Sequence, residues 1–183
     1  MIDPNNITNL YRTKQELEEF WLFCLLVAGK KSTVVANKLS DLLAYVTCPF
    51  EFLKQLDKEG ALELHLKHHK VGQYNRITNA IRDSFNVNLR SASFSDLIKI
   101  KGCGPKSAAF FLLHSRGEEI PVLDTHILKY LREKGYDAPK QTPQKIKTYE
   151  HFSEIFKKEV AKEGKWATLA EADLEIWKSY STT

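Results

Sequence analysis

Glycine and proline are sparse in this 183-residue chain, with 8 and 6 copies, and fall mostly between stretches whose apolar residues repeat with a helical period. Between residues 14 and 28 the apolar side chains nearly surround the helix, so this segment must be buried. No alternating pattern is long enough to predict a strand. The sequence therefore predicts an all-α fold, with helices over residues 14–28, 32–46, 49–56, 62–69, 74–85, 93–100, 105–117, 125–135, 142–164 and 166–181.

Composition limits the classes of protein that this chain can form. Hydrophobic residues make up 43% of it, which suits a folded domain, and the net charge of +4 is compatible with a polyanionic partner without establishing one. The longest uncharged apolar run, residues 20–29, is shorter than the roughly 20 residues that span a bilayer. We expect an intracellular, cytoplasmic protein without a membrane segment, whose three cysteines stay reduced.

Helix boundaries are marked by residues with known end preferences. Ser32 is predicted to cap one helix, and Ser93 or Ser95 another, because their side chains can accept the first free amides. Pro105 suits the first turn of a helix, where no amide donor is needed. Asp124 is predicted to cap the helix that begins at the next residue.

The stretch "IKIKGCGPKSAAFF", residues 98–111, places Gly102 and Gly104 one residue apart, immediately before Pro105 and Lys106. Glycines let a turn present its backbone N–H groups without obstruction, and the helix that follows adds its positive end, so the combination attracts phosphate. Taken alone, the same pattern is also typical of a simple turn between two helices.

A second motif decides between these interpretations. Residues 100–108 match the hairpin of the helix-hairpin-helix (HhH-GPD) DNA glycosylase superfamily, and Leu123, Asp124, Thr125 and His126 match its Val-Asp-Thr-His motif, eighteen residues from lysine to aspartate. The chain resembles this superfamily over about residues 20–135, and within it resembles endonuclease III and the small microbial 8-oxoguanine DNA glycosylases.

The resemblance implies a single glycosylase domain over residues 1–183, built from two helical lobes with a DNA-binding cleft between them. One lobe is expected to cover about residues 31–117, with the hairpin at 101–106, and the other about residues 1–30 plus 118–183. The implied partner is double-stranded DNA that contains a damaged base or an abasic site, bound by a monomer.

The resemblance also assigns the catalytic residues. It makes Lys106 the nucleophile that attacks the sugar C1′, expels the base and leaves a Schiff base. A helix start disfavours the charged ammonium, which suits this role. Asp124 is expected to stabilise the positive charge that develops on the sugar and to help activate the amine. Because both residues are present, we predict a glycosylase with an associated β-elimination lyase activity.

Further residues are predicted to contact DNA. The expected backbone contacts are Lys30, Lys31, Arg76, Lys101, Gly102, Cys103, Gly104 and His126. A wedge must fill the space of a base that leaves the stack. Where endonuclease III has a glutamine this chain has Gly29, which cannot fill it, so we assign the wedge or base pocket to Gln73, Tyr74, Asn75 and Trp177.

The sequence also bears on cofactors. No cysteine follows Cys103, so the four-cysteine iron-sulfur cluster of endonuclease III relatives is excluded by ligand count. His65, His68 and His69 have a spacing that can hold a metal, but no acidic motif lies nearby. We interpret them as an exposed basic face and predict no metal site. The resemblance allows a structural monovalent cation held by carbonyls of residues 101–104.

The leading hypothesis is a base-excision-repair glycosylase and AP lyase that removes an oxidised base, with 8-oxoguanine first among the candidates. One alternative is a transferase that modifies a DNA base on the same scaffold and leaves the sugar-base bond intact. Another is a helix-hairpin-helix module that binds DNA without catalysis. The lysine and aspartate at family spacing argue against the pure binder and do not decide against the transferase.

Overall fold

The computed structural model describes residues 2–181, which form ten α-helices and no strand, so the predicted all-α class is confirmed. The chain forms two compact units, Met1–Cys103 and Gly104–Thr183. The first contains α1 (Lys14–Leu26), α2 (Ser32–Leu42), α3 (Pro49–Lys58), α4 (Leu62–His68), α5 (Tyr74–Ser84) and α6 (Phe94–Leu97). The second contains α7 (Pro105–Arg116), α8 (Thr125–Glu133), α9 (Ile146–Glu163) and α10 (Leu169–Ser181).

Helix α1 forms the centre of the first unit. It packs against α2, α3 and α5, and its side chains from Phe20 to Leu26 are all buried. Its one indole donor is satisfied inside the core, because Trp21 Nε1 donates to Ser84 Oγ at 2.7 Å. The helix begins with a capping box between Thr13 and Glu16. The prediction of a buried helix is confirmed from Phe20 onward, whereas Lys14, Gln15 and Glu16 in its first turn are exposed.

Helix α2 has its N-cap one residue before the one that the sequence predicted. Lys31 is the N-cap, with extended backbone angles, and Ser32 is already the first helical residue. The prediction that Ser32 caps this helix is therefore wrong. A tight turn sets the start, because Gly29 has a φ of +71° and the Lys30 N–H donates to the carbonyl of Val27.

Helix α10 organises the second unit by packing against α7, α8 and α9. Helix α7 is buried on most of its surface, including Phe111, Leu112 and Leu113. It starts at Pro105, as predicted. Helix α9 begins at Ile146, later than predicted, since residues 142–145 form an irregular segment.

No helix among residues 2–181 is both long enough and apolar enough to cross a bilayer.

Candidate active site

The hairpin glycine Gly102 has a conformation that only glycine adopts easily. Its φ is +83°, and a Cβ added there would lie 2.6 Å from Arg76 Cγ and 3.0 Å from the Arg76 carbonyl oxygen. Gly102 is therefore required both for its backbone angle and for the close approach of Arg76. This is the local reason for the first glycine of the motif.

Two hairpin amides are already used inside the protein. The Lys101 N–H donates to Asp83 Oδ2 at 3.0 Å, and the Cys103 N–H donates to the Ile100 carbonyl at 3.0 Å. Cys103 also has a buried side chain, so neither its thiol nor its amide is presented outward. Of the amides predicted to hold phosphate, that of the exposed Gly102 fits the role best.

Helix α7 adds two further amides. The first bond inside this helix is donated by the Ala108 N–H to the Gly104 carbonyl at 3.2 Å. The N–H groups of Lys106 and Ser107 precede that bond and have no partner within the helix. An anion placed at this helix start would meet these donors and the positive end of the helix.

Arg76, predicted to contact phosphate, makes three hydrogen bonds within the first unit. Its guanidinium donates to the carbonyl of Gly102 at 2.7 Å, to the carbonyl of Leu25 at 2.9 Å and to Gln73 Oε1 at 2.7 Å. Burial lowers the pKa of Arg76 from its usual value. The guanidinium therefore shapes the hairpin from inside the unit.

The predicted contact lysines of the first unit differ in exposure. Lys30 is half-buried, and its ammonium donates to the carbonyl of Val71 at 2.6 Å. Burial lowers the pKa of Lys30, and the nearby charges of Arg76 and Lys38 lower it further. Lys31 and Lys101 are exposed. Of the three, these two have the charge most accessible to a DNA backbone.

The segment predicted to supply the wedge has an unusual backbone. Lys70, Gly72 and Gln73 all have positive φ values, of 51°, 72° and 49°. Gln73 and Asn75 are exposed, and Tyr74 is half-buried. Non-glycine residues with such angles are often found at functional sites, because the surrounding structure must hold them there. The wedge assignment stays a prediction.

Lys106 lies in the first turn of α7, half-buried. Its side chain forms no hydrogen bond or ion pair within the described range 2–181. An amine without a protein partner is free to meet a substrate. The structure therefore leaves the predicted nucleophile available.

Asp124 is the N-cap of α8, as predicted. Its Oδ1 accepts hydrogen bonds from the His126 N–H at 2.9 Å and the Ile127 N–H at 2.8 Å. Its Oδ2 accepts none from the described part of the chain. Capping of α8 is therefore compatible with the predicted catalytic role of Asp124, since Oδ1 holds the helix and Oδ2 remains available.

A buried tyrosine fixes the segment that leads into Asp124. The hydroxyl of Tyr149 donates to the Pro121 carbonyl at 2.7 Å and accepts from the Leu123 N–H at 3.1 Å. Burial raises the pKa of Tyr149, so it remains a neutral donor. Thr142 Oγ1 donates to the Leu123 carbonyl at 2.8 Å. Sequence reasoning identified neither side chain.

A buried pair that the sequence did not predict joins α7 to α10. His114, on α7, is fully buried, and its Nε2 lies 3.0 Å from Oδ2 of Asp173, on α10. Burial raises the pKa of the Asp173 carboxyl, and the His114 hydrogen bond opposes that rise. Asp124 raises the same pKa and Lys106 lowers it, so both act electrostatically on Asp173. Lys106 and Asp124 both belong to the second unit, and their catalytic pairing stays a prediction.

Trp177, predicted to line the base pocket, lies on α10 next to the first turn of α8. Its ring meets that of His126 edge-on, with 6.4 Å between ring centres, and both residues are half-buried. A half-buried indole next to an imidazole offers an aromatic surface for stacking. Both residues flank the start of α8, which Asp124 caps.

The predicted histidine face is only partly exposed. His68 is exposed, whereas His65 and His69 are half-buried, and His65 Nε2 lies 3.1 Å from the Leu42 carbonyl. The prediction of an exposed face is thus wrong for two of the three. Within residues 2–181, no group of three or more metal-ligating side chains converges.

Two of the hairpin carbonyls already accept hydrogen bonds. Within residues 101–104, the Gly102 carbonyl accepts one from Arg76, and the Gly104 carbonyl accepts one from the Ala108 N–H. A cation at this turn would have to use the others. The monovalent cation stays a prediction.

The helical fold, the glycine hairpin, and the lysine and capping aspartate of the second unit define the class of helix-hairpin-helix DNA glycosylases. A model of the Ogg-HhH family, described as 8-oxoguanine DNA glycosylase, matches residues 5–165. The chain belongs to this family.

Solved structures share its fold. One is the 8-oxoguanine glycosylase/lyase of Methanocaldococcus jannaschii in complex with a 15mer DNA containing 8-oxoguanine, with a TM-score of 0.72 and 20% identity over 98% of this chain and 88% of that one. Another is the 8-oxoguanine DNA glycosylase of the same organism, with a TM-score of 0.69 and 22% identity over 94% and 81%.

Proposed function

We propose that the protein excises 8-oxoguanine from double-stranded DNA and cleaves the resulting abasic site by β-elimination. Family membership supports the substrate, and the similar solved DNA complex, which is that of a glycosylase/lyase, supports both activities. The observation that carries the proposal is the condition of two side chains in the second unit: Lys106 lies in the first turn of α7 without a side-chain partner among the described residues, and Asp124 caps α8 through Oδ1 alone.

In the proposed reaction the damaged nucleotide leaves the duplex, since its C1′ cannot be reached inside the stack. The neutral amine of Lys106 attacks C1′, and the electron pair of the sugar-base bond leaves with the base, which takes up a proton. Asp124 Oδ2 stabilises positive charge on the sugar as that bond breaks. Its Oδ1 stays on the α8 amides and keeps the carboxylate in place.

The sugar ring of the covalent intermediate then opens, which leaves a Schiff base between Lys106 Nζ and C1′. Loss of a C2′ proton expels the 3′ phosphate and breaks the strand. Borohydride reduces the Schiff base to a stable amine, which makes the intermediate measurable.

The DNA contacts of this proposal are divided between roles. Lys31, Lys101 and the Gly102 amide are proposed to contact the phosphate backbone, since they are exposed. Trp177 is proposed to stack on the extruded base, and Gln73 to fill the space it leaves. The protein is proposed to act as a monomer on cellular DNA, which for a bacterium or archaeon means the nucleoid in the cytoplasm.

Borohydride trapping tests the proposal. Duplexes that contain 8-oxoguanine, an oxidised pyrimidine, uracil or an abasic site, each opposite all four bases, are incubated with the protein and borohydride. We expect covalent adducts with 8-oxoguanine and abasic duplexes, and no adduct with Lys106→Gln. The matched control is Lys147→Gln, because Lys147 is exposed and has no partner among the described residues.

Two outcomes would contradict the proposal. Excision by Lys106→Gln at the wild-type rate would exclude the lysine mechanism. Adducts with abasic DNA alone would exclude 8-oxoguanine as the substrate and leave a lyase.

A further inference from the structure

The segment between α4 and α5, residues 70–73, has a backbone conformation that its own residues do not favour. Lys70, Gly72 and Gln73 have positive φ values of 51°, 72° and 49°. Residues that carry a Cβ adopt this region only under strain. Gln73 is also the N-cap of α5, a position where extended angles are usual, and its side chain makes no capping bond. Contacts from outside the segment therefore hold this conformation.

The amides at the start of the segment are used by the end of α4. The Lys70 N–H donates to the Lys67 carbonyl at 3.0 Å, and the Val71 N–H donates to the Leu66 carbonyl at 3.3 Å. These two bonds form a Schellman cap, which places the positive φ on Lys70. The Val71 side chain is buried. The carbonyls of Lys70 and Val71 are left for partners elsewhere in the chain.

Two lysines bind these two carbonyls. Lys30 Nζ donates to the Val71 carbonyl at 2.6 Å, and Lys38 Nζ donates to the Lys70 carbonyl at 2.5 Å. Lys30 lies in the turn before α2 and Lys38 lies within α2, and both are half-buried. Hydrogen bonds from a charged donor are stronger than those between neutral groups. Both ammonium groups are therefore directed at the backbone of residues 70–71.

The side chain of Gln73 is held as well. Its Oε1 accepts a 2.7 Å hydrogen bond from Arg76 Nε, and the same guanidinium binds the Gly102 carbonyl of the hairpin. Gln73 is nevertheless exposed. The segment thus presents an outward side chain from a strained backbone that cationic side chains hold at three points.

Resting on the role proposed above for Gln73, which is to fill the space of the extruded base, we propose that Lys30 and Lys38 are positioning residues for base extrusion. By holding the carbonyls of residues 70–71, they keep Gln73 in its conformation before DNA binds. A side chain that is already ordered loses less freedom when it enters the stack, so extrusion is faster. This role differs from that of Lys31 and Lys101, which are proposed to contact phosphate.

The test compares two substrates under single-turnover conditions. One is a duplex with 8-oxoguanine opposite cytosine, followed by excision, and the other is a duplex with a preformed abasic site, followed by borohydride trapping. Only the first requires a paired base to leave the stack. In Lys30→Met, which keeps the apolar stem and removes the donor, we expect excision to slow by about 10-fold and trapping to keep the wild-type rate. Lys38→Met should change the two rates in the same way.

Two lysine variants serve as controls. Lys30→Arg keeps a charged donor and should retain most of the excision rate. Lys54→Met removes an exposed lysine of α3 and should leave both rates unchanged. An unchanged excision rate in both Lys30→Met and Lys38→Met would overturn the proposal. So would an equal loss on both substrates, because that is the result of a general disturbance of the fold.

A double-variant cycle tests whether Lys30 acts through Gln73. Gln73→Ala alone should slow excision, and adding Lys30→Met to it should slow excision no further, since the side chain that Lys30 positions is already gone. If the two losses multiply in the double variant, Lys30 acts independently of Gln73 and the proposal is overturned.

The salt dependence of DNA binding separates positioning from phosphate contact. A lysine that neutralises one phosphate contributes about 1 to the slope of log K against log salt. We expect the slope of Lys30→Met and Lys38→Met to equal that of the wild type, because their ammonium groups are bound to carbonyls. A reduced slope would overturn the positioning role. Circular dichroism establishes folding, and if Lys30→Met does not fold, Lys38→Met undergoes the same tests on the neighbouring carbonyl.

Failure of this proposal is distinct from failure of the proposed function. Loss of trapping in Lys106→Gln establishes the lysine chemistry whatever Lys30 and Lys38 do. If the wild-type protein excises 8-oxoguanine and both methionine variants excise it at the same rate, only the inference on Lys30 and Lys38 fails.

Discussion

The guanidinium of Arg76 donates a 2.7 Å hydrogen bond to the carbonyl oxygen of Gly102, 26 residues further along the chain. The same group reaches the carbonyl of Leu25 at the end of α1 and the side chain of Gln73 before α5. One side chain thus joins the hairpin to the segment predicted to carry the wedge. The geometry of the hairpin therefore depends on a residue that the sequence assigned to DNA contact.

Replacing Gly102 with alanine tests how closely Arg76 and the hairpin fit. The new Cβ would meet Arg76 Cγ at 2.6 Å and the Arg76 carbonyl oxygen at 3.0 Å, at a φ of +83°. Backbone strain and overpacking together should lower the free energy of unfolding by about 2–4 kcal/mol. Urea unfolding followed by circular dichroism measures the loss.

Gly60→Ala is the matched control. Gly60 also has a positive φ, of 71°, but no atom lies within 4 Å of an added Cβ. We expect the free energy of unfolding of this variant to fall by only about 1 kcal/mol, which is the strain of a positive φ at alanine. Equal losses at the two positions would mean that the contact with Arg76 does not matter.

Lys101 provides a prediction on DNA affinity. Its side chain is exposed on the hairpin, so we expect it to neutralise one phosphate. Lys101→Gln should weaken binding to all duplex sequences alike and reduce the slope of log K against log salt by about 1. Fluorescence anisotropy at several salt concentrations measures both the affinity and the slope. Lys54→Gln, an exposed lysine of α3 outside the predicted contacts, should leave the slope unchanged.

The features predicted correctly from the sequence are those set by local chemistry. Pro105 begins α7 and Asp124 caps α8, because the preferences of a first-turn proline and a capping carboxylate act over a few residues. Ser32 has the same preference as other N-caps, yet it lies one position inside α2. There the turn at Gly29 and the bond from Lys30 to Val71 fix the chain, and these contacts outweigh the preference.

The features that the sequence could not predict depend on distant partners. His114 and Asp173 are 59 residues apart, and no local spacing relates them. Neither residue belongs to a motif, and a lone histidine or aspartate within a helical pattern carries no indication of its partner. The same holds for Tyr149 and its bonds to residues 121 and 123. The one signal in the sequence is a titratable residue at a position that becomes buried. That signal can be recognised only once the packing of α7, α9 and α10 is known.

Glu163 gives a prediction on the pH dependence of stability. Hydrogen bonds from Lys134, Lys165 and Tyr130 lower its pKa from 4.5 to about 2. Because the pKa is lower in the folded state, the stabilisation is full above the unfolded value of 4.5 and is lost as the pH falls toward about 2. Glu163→Gln should therefore lower the free energy of unfolding by about 1 kcal/mol near neutral pH and leave it unchanged at the acid end of the range. The loss is small because the lysine partners of Glu163 are partly exposed.

Urea unfolding at a series of pH values measures this difference. Glu154→Gln is the control, because Glu154 also pairs with a lysine, Lys157, on α9 but is 61% exposed. It should change stability little at any pH. A Glu163→Gln deficit that stays constant down to the acid end would show that the lowered pKa is not the source of the stabilisation.

Tyr149→Phe tests whether the segment before Asp124 sets its catalytic geometry. Removing the hydroxyl leaves the buried Pro121 carbonyl and Leu123 N–H without that partner, which should cost about 2–3 kcal/mol of stability. The freed segment should also move Asp124, so excision of 8-oxoguanine should slow by about 10-fold even where the variant is fully folded. Tyr11→Phe is the control, since Tyr11 is 92% exposed. Lower stability with an unchanged single-turnover rate would mean that the α8 amides alone are enough to hold Asp124 in place.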